Sequence, residues 1–164
     1  MPIHVAYIHS PIGWIEIKGN ENGISSLIFV EENEEKNTNV HPTLKKAVLQ
    51  ITDYLNGKRT VFDVKINPEG TDFQKNVWQK LSEIPFGKTV SYLDIAIALG
   101  DKNATRAVGN ANGKNPISII VPCHRVVGTN GKMTGYAGGL WRKEWLLHHE
   151  KKGSLGEQKQ LFSL

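Results

Sequence analysis

The first 30 residues alternate between apolar and polar positions in the manner of β-strands. Three runs show this pattern, and in the second of them Ile15 and Ile17 lie on one side with Glu16 on the other. The runs are residues 3–8, 12–18 and 24–30. Residues 20–23 have the composition of a turn, so the chain is expected to begin with three short strands.

Helical spacing replaces this alternation from Pro42 onwards. Apolar residues then recur three or four positions apart, which predicts an amphipathic helix closed by residues 56–57. These apolar positions are Leu44, Val48, Ile51 and Leu55. Residues 61–66 return to a strand pattern, and residues 31–38 are acidic and polar, as expected of an exposed loop.

Residues 67–70 (NPEG) are the best candidate for a linker, and the charge balance changes sign there. The chain up to residue 66 carries seven Lys or Arg against eight Asp or Glu, and the rest carries thirteen against eight. We therefore expect two domains, residues 1–66 and residues 71–164. A basic second part fits a polyanionic partner, because basic residues displace the counterions of a phosphate backbone, but it also fits an ordinary solvated surface.

Helical patterns dominate the second part. One helix is capped by Thr71 or Asp72, and a shorter one opens with the capping-box pair Ser91 and Asp94 and ends at Gly100. The apolar stripe of the first consists of Phe73, Val77, Leu81 and Ile84, and the inner face of a third consists of Ala104, Ala107, Val108 and Ala111. A last helix is expected up to Glu150, followed by a frayed polar tail over residues 151–164.

The second and third of these helices form a helix-turn-helix pattern, which is common in DNA-binding proteins and also in small helical domains that never touch DNA. The outward face of the third helix is expected to present Thr105, Arg106, Asn110 and Asn112. Gly113 and Lys114 follow them. Small side chains let a DNA backbone come close, while the basic ones supply charge. Residues 117–121 are almost continuously apolar, as in a buried strand, and lead directly into Cys123.

Cys123 is the only cysteine in the chain of 164 residues. An internal disulfide, a CxxC redox pair and a zinc site with several cysteines are therefore excluded. A lone thiol suits a reducing compartment, and we expect a cytoplasmic protein. Cys123 is either a small buried hydrophobe or a nucleophile. His124 and Glu150 could activate it, and an extended backbone at residues 122–125 would favour a bridging water between Cys123 and His124.

Residues 120–127 (IVPCHRVV) resemble the active-site segment of the O6-alkylguanine-DNA alkyltransferases, also called methylated-DNA–protein-cysteine methyltransferases. The resemblance covers nearly all of residues 71–150 in order and spacing. Its further motifs are FG at 86–87, SY at 91–92, RAVG at 106–109, NP at 115–116, GYAGGL at 135–140 and KEWLL at 143–147. It implies an α/β (α+β) protein, with a small ribonuclease-H-like N-terminal domain and a mainly helical C-terminal domain.

The resemblance also implies a single-turnover methyltransferase for double-stranded DNA. Cys123 would accept the alkyl group from O6 of guanine, and possible substrates extend to O4-alkylthymine. His124 would take the thiol proton through a water, with Glu150 holding the imidazole. Tyr92 would protonate the departing guanine, and Asn115 would brace the active-site turn.

Base flipping is a further implication, since a buried thiol cannot reach O6 inside a duplex. Arg106 would fill the gap left in the base stack while its helix docks in the minor groove. The expected DNA-binding residues are Tyr92, Thr105, Arg106, Asn112, Gly113, Lys114 and Arg125. The expected base pocket is lined by Tyr136, Val126 and Ala137, and Ala137 stands where many members carry a serine.

No cofactor is expected. No metal is expected either, because His4, His9 and His41 have no cysteine beside them and make a poor ligand set. No membrane span is expected, and the protein should be a monomer. Two alternatives remain open. A cysteine hydrolase using Cys123 and His124 would turn over repeatedly, and a helix-turn-helix regulator would keep its function when Cys123 is replaced.

Overall fold

A computed structural model describes residues 1–31 and 39–162, with side chains described through residue 154. Its contacts divide into two compact units. The first consists of Met1–Thr71 together with Pro116–Ile120, and the second of Asp72–Asn115 and Val121–Leu164. No helix in the described part of the chain is long and apolar enough to cross a membrane. The loop expected at residues 31–38 lies, apart from Glu31, outside the described residues.

The first unit is an antiparallel three-stranded sheet with one helix. The strands are β1 (His4–Ser10), β2 (Gly13–Asn20) and β3 (Gly23–Val30), paired in that order, and α1 spans Pro42–Leu55. The predicted strands and helix are therefore confirmed. The apolar faces of sheet and helix form one core, in which these side chains are fully buried: Ala6, Ile15, Ile17, Leu27, Leu44 and Ile51.

Two strands predicted from apolar runs are wrong. Residues 61–66 contribute only a single parallel bridge, between Ile66 and Ile24. Residues 117–121 likewise make one bridge, from Ile117 to Leu27, and then turn. Ile119 adopts a φ of 71°, a left-handed conformation that interrupts any regular strand. Residues 117–121 are apolar because most of them are buried, and a buried turn is as apolar as a buried strand. Residues 61–66 alternate between exposed and partly buried positions, as a strand would, but pair at a single point.

The second unit is mainly helical. It contains α2 (Asp72–Ser82), α3 (Tyr92–Ala98), α4 (Thr105–Gly113) and α5 (Leu140–Phe162). The capping box at the start of α3 is confirmed, since Ser91 and Asp94 exchange side-chain and backbone hydrogen bonds. Trp78 of α2 packs in the core and its indole N–H donates to the Ala111 carbonyl on α4 at 2.9 Å.

Three details of the helices differ from the predictions. Phe73 is 39% exposed, so the buried face of α2 runs instead through Val77, Trp78 and Leu81. Ala107 lies on the exposed face of α4, because the buried positions are set by Val108 and Ala111. The helix α5 continues to Phe162, so the tail expected from residue 151 is helical as far as it is described.

A short parallel strand pair positions the candidate site within the second unit. β4 (Val90–Ser91) pairs with β5 (Val126–Val127). Tyr92 begins α3 directly after β4, and Cys123 lies three residues before β5. The pairing therefore brings the start of α3 beside the cysteine segment. On α5, Lys143, Leu146 and Glu150 are buried at helical spacing on one face.

Candidate active site

Cys123 begins a single 3₁₀ turn, Cys123–Arg125, and is 4% exposed. The extended backbone considered for residues 122–125 is therefore wrong. Asn115 holds the segment, because its side-chain amide donates to the Val121 carbonyl at 2.8 Å and also hydrogen-bonds the Cys123 side chain. Asn112 approaches the Cys123 carbonyl at a long 3.5 Å. Cys123 thus lies in a braced, enclosed turn.

His124, Glu150 and Arg125 form a buried charged cluster. The His124 Nε2 lies 2.7 Å from Glu150 Oε2, and the two side chains are 0% and 1% exposed. Arg125 donates from Nε and Nη2 to the two Glu150 oxygens at 2.8 and 3.0 Å, and from Nη1 to the Ile84 carbonyl at 2.7 Å. Glu150 is therefore held between two partners that come from the same 3₁₀ turn.

Burial sets the protonation states of the cluster. It lowers the pKa of His124, and the hydrogen bond and charge of Glu150 only partly offset this, so the imidazole is neutral at rest. Burial alone would raise the pKa of Glu150, but the hydrogen bonds from His124 and Arg125 and the charge of Arg125 hold it well below its usual range. Arg125 is a permanent cation, so Glu150 stays ionised beside a neutral His124.

Only one of the two His124 ring nitrogens is bound to Glu150. The other, Nδ1, is buried and has no hydrogen-bond partner among the residues that the structure describes. With Nε2 donating to Glu150, this Nδ1 is an unprotonated acceptor. Burial meanwhile raises the pKa of Cys123, although Asn115 and the charge of Lys143 act in the opposite direction. A thiol that stays protonated and a base with a free acceptor therefore lie on adjacent residues.

Lys143 contributes a buried amino group that the sequence motifs left without a role. The side chain is 0% exposed, and its Nζ donates to the Val126 carbonyl at 2.7 Å and to the Thr134 carbonyl at 3.2 Å. Burial lowers the pKa of Lys143, while attraction to Cys123 raises it. The positive charge of Lys143 acts to lower the pKa of Cys123, which favours a thiolate there.

Tyr92 lies half-buried at the start of α3. Its hydroxyl is 2.6 Å from the Thr134 Oγ1. Gly109 of α4 faces the ring, since a Cβ added there would lie 3.8 Å from it. Tyr92 is thus held between α4 and the segment that leads from β5 to α5.

The residues expected to contact DNA divide into two groups. Arg106, Gly113 and Lys114 are exposed on or just after α4, and Thr105 is partly exposed at its start. Asn112 and Arg125 are buried, at 4% and 6% exposure, which corrects their placement at a DNA-facing surface. Asn112 is on the inner side of α4 because it lies one helical turn after the buried Val108. Arg125 faces inward because Glu150 binds its guanidinium.

The three residues expected to line a base pocket differ in accessibility. Val126 is fully buried in β5, and its carbonyl accepts the Lys143 ammonium. Tyr136 is partly exposed, with a buried hydroxyl oxygen, and Ala137 is exposed. The sequence did not indicate the internal hydrogen bonds of Lys143 and Arg125, which are buried, or those of Thr134, which is partly buried. Lys143 and Arg125 lie inside the recognised motifs, but only the fold shows their partners.

Two family models together match most of the chain. Residues 3–68 match the ribonuclease-like domain of 6-O-methylguanine DNA methyltransferase, and residues 72–152 match its DNA-binding domain. A methylated-DNA–protein-cysteine methyltransferase of Methanosarcina barkeri is 48% identical over 88% of this chain and 94% of the relative. One from Mycobacterium bovis is 47% identical over 91% and 93%.

Solved structures agree with these matches. The crystal structure of the O6-methylguanine methyltransferase of Mycobacterium tuberculosis superposes with a TM-score of 0.83 at 44% identity, covering 92% of this chain and 94% of that one. A structure of the M. tuberculosis protein in complex with DNA gives 0.83 at 46% identity with the same coverage. The family models for both parts of the sequence and the solved structures thus identify the same family. The chain belongs to the 6-O-methylguanine DNA methyltransferase family.

Proposed function

We propose that this chain repairs DNA by direct reversal, transferring an alkyl group from O6 of guanine to Cys123 in one irreversible turnover. The observation that carries the proposal is the arrangement around the only cysteine. A buried thiol stands next to a neutral histidine, His124, whose Nε2 is bound to Glu150 and whose Nδ1 is a buried acceptor without a partner among the described residues. The names of the relatives support the same reaction.

Transfer begins with loss of the thiol proton. The thiolate is the nucleophile, and the raised pKa of Cys123 means that a base must generate it. His124 accepts the proton at Nδ1 through one water, and Glu150 stabilises the imidazolium across the 2.7 Å contact. Lys143 and Asn115 support the thiolate charge until it attacks. The geometry is that of a base oriented by a carboxylate.

The displacement exchanges one bond for another. The S–C bond forms as the bond between O6 and the alkyl carbon breaks, and the electron pair passes to guanine. Tyr92 gives a proton to a ring nitrogen of the departing base, and the proton held by His124 returns through water to Tyr92. The products are a thioether on Cys123 and normal guanine. Nothing in the site can remove a thioether, so each molecule reacts once.

DNA binding is assigned to α4. Its outer face combines the exposed Arg106 with the small residues Ala107 and Gly113, and Lys114 follows at its end. Such a face fits a minor groove better than long side chains would, and base extrusion with Arg106 inserted would present O6 to the buried sulfur. The residues proposed to surround the flipped base are Tyr92, Tyr136, Ala137 and the backbone at Val126.

The remaining expectations follow from the same chemistry. We propose that residues 71–164 carry the reaction, that residues 1–66 form a separate domain, and that the protein acts in a reducing cytoplasm, where Cys123 stays a free thiol. O4-alkylthymine presents a comparable exocyclic ether and is proposed as a second substrate. No cofactor is required by the balanced reaction.

Intact-protein mass spectrometry tests the proposal directly. The full-length protein is mixed with a duplex containing one O6-methylguanine, and an unmodified duplex of the same sequence serves as control. We expect one added methylene per molecule, never two, with the modified duplex alone. Peptide mapping should place it on Cys123, and Cys123→Ala should bind the duplex without gaining mass.

Other results would contradict the proposal. DNA binding without a mass change in the wild-type protein would indicate a regulator with an inert cysteine. Catalytic hydrolysis of a thioester or ester probe, with no dependence on DNA, would indicate a cysteine hydrolase.

A further inference from the structure

Thr134 has no role in the reaction as described, yet it links two of its functional groups. Its Oγ1 lies 2.6 Å from the Tyr92 hydroxyl and 3.4 Å from the Lys143 Nζ. The same ammonium also binds the Thr134 backbone carbonyl at 3.2 Å. One side-chain hydroxyl therefore stands between a buried cation and the proposed proton donor.

The directions of these hydrogen bonds follow from the chemistry of the groups. An ammonium can only donate, so the Thr134 oxygen accepts from Lys143. The single proton of Thr134 is then free to be donated to the Tyr92 oxygen. This leaves the proton of Tyr92 available for a bound base. The contact between two hydroxyls permits either direction by geometry, and the neighbouring cation favours this one.

We propose that Thr134 is a positioning residue for alkyl transfer, which orients the Tyr92 proton towards the base and stabilises the phenolate that forms when the proton leaves. This rests on the proposed function, because it assigns a partner to the proton donor of that reaction. Lys143 polarises the Thr134 hydroxyl and thereby extends the effect of its positive charge to Tyr92.

The proton count stays balanced with this addition. Tyr92 loses its proton to guanine, and the Thr134 O–H donates to the resulting phenolate without being transferred. The proton taken from Cys123 and held on His124 then restores Tyr92 through water. A hydrogen bond to a charged oxygen is stronger than one to a neutral oxygen, so the Thr134 contact gains strength as the reaction proceeds. An interaction of this kind speeds the chemical step itself.

Thr134→Val removes the hydroxyl with little other change. Valine keeps the β-branched shape, and the backbone carbonyl that binds Lys143 stays in place. We expect the single-turnover rate of methyl transfer to fall by about 10- to 100-fold, the scale of a lost hydrogen bond to a charged group. DNA affinity and the urea midpoint should stay close to those of the wild-type protein. Thr134→Ser should restore the rate, and Thr129→Val, at an exposed position of the same segment, should have no effect.

A double-mutant cycle with Tyr92→Phe separates this role from a structural one. If Thr134 acts through the phenol, Thr134→Val slows the wild-type protein but has no further effect when Tyr92 is already phenylalanine. Equal effects in both backgrounds, or a wild-type rate in Thr134→Val, would overturn the proposal while leaving Cys123 transfer intact. Absence of transfer in the wild-type protein would instead overturn the proposed function, and with it this role.

Discussion

Arg125 offers a sharp test of the buried cluster. Its guanidinium makes two hydrogen bonds to Glu150 and one to the Ile84 carbonyl, and both charged side chains are nearly excluded from solvent. Arg125→Met keeps much of the volume but leaves the Glu150 carboxylate without its permanent cation. Removing one partner of a buried ion pair costs about 3–5 kcal/mol. We expect the free energy of unfolding to fall by about that amount.

Urea denaturation followed by circular dichroism measures this loss, with the slope of the transition checked for two-state behaviour. Arg106→Met is the matched control, since the same substitution at the exposed face of α4 should leave stability unchanged and weaken DNA binding. A variant Arg125→Met with wild-type stability and reduced DNA affinity would refute the reasoning. It would mean that Arg125 faces DNA, as the motif alone had led us to expect.

Four further outcomes are expected. Because burial lowers the pKa of His124, the imidazole stays neutral below its unperturbed pKa of about 6.5. The transfer rate should therefore be maintained at that pH and fall only in more acidic buffer. A rate that is already halved at pH about 6.5 would contradict the assignment. The free energy of unfolding, in contrast, should begin to decrease as the pH falls through about 6.5, because His124 takes up a proton there in the unfolded chain. Because burial raises the pKa of Cys123, iodoacetamide should modify it far more slowly in the native protein than in urea. Intact-protein mass measures the two rates, and equal rates would indicate an exposed thiol. Ser91→Ala removes the capping box of α3 and should lower the free energy of unfolding in urea by about 1 kcal/mol. An unchanged urea midpoint would show that the cap does not contribute to stability.

Much of the architecture could be predicted because its signals are local. The alternation in β1 to β3 and the apolar spacing in α1 reflect which side chains each element buries, and both predictions are confirmed. The helix α3 was predicted from the pair Ser91 and Asp94, which satisfy backbone groups within one turn. The family was identified from residues 120–127, and the comparisons confirm it.

The remaining features depend on partners far apart in sequence. Arg125 is 25 residues from Glu150, so nothing near it in the chain shows that it is an internal ion-pair partner. Lys143 looks like an exposed helical lysine until α5 is packed against the cysteine turn, where its Nζ meets the Val126 carbonyl. The turn at Ile119 was hidden because isoleucine rarely adopts a positive φ, and an apolar run therefore favours a strand.

The segment Pro116–Ile120 has a consequence for how the chain can be divided. It belongs with the first unit, where Ile117 bridges Leu27, although it lies in the sequence just before Cys123. A gene fragment that starts after residue 71 would therefore encode this apolar stretch without the strand that pairs with it. Unpaired apolar backbone of this kind promotes self-association. The two units are therefore best expressed together as one chain, even though residues 67–70 look like a suitable boundary for a truncation.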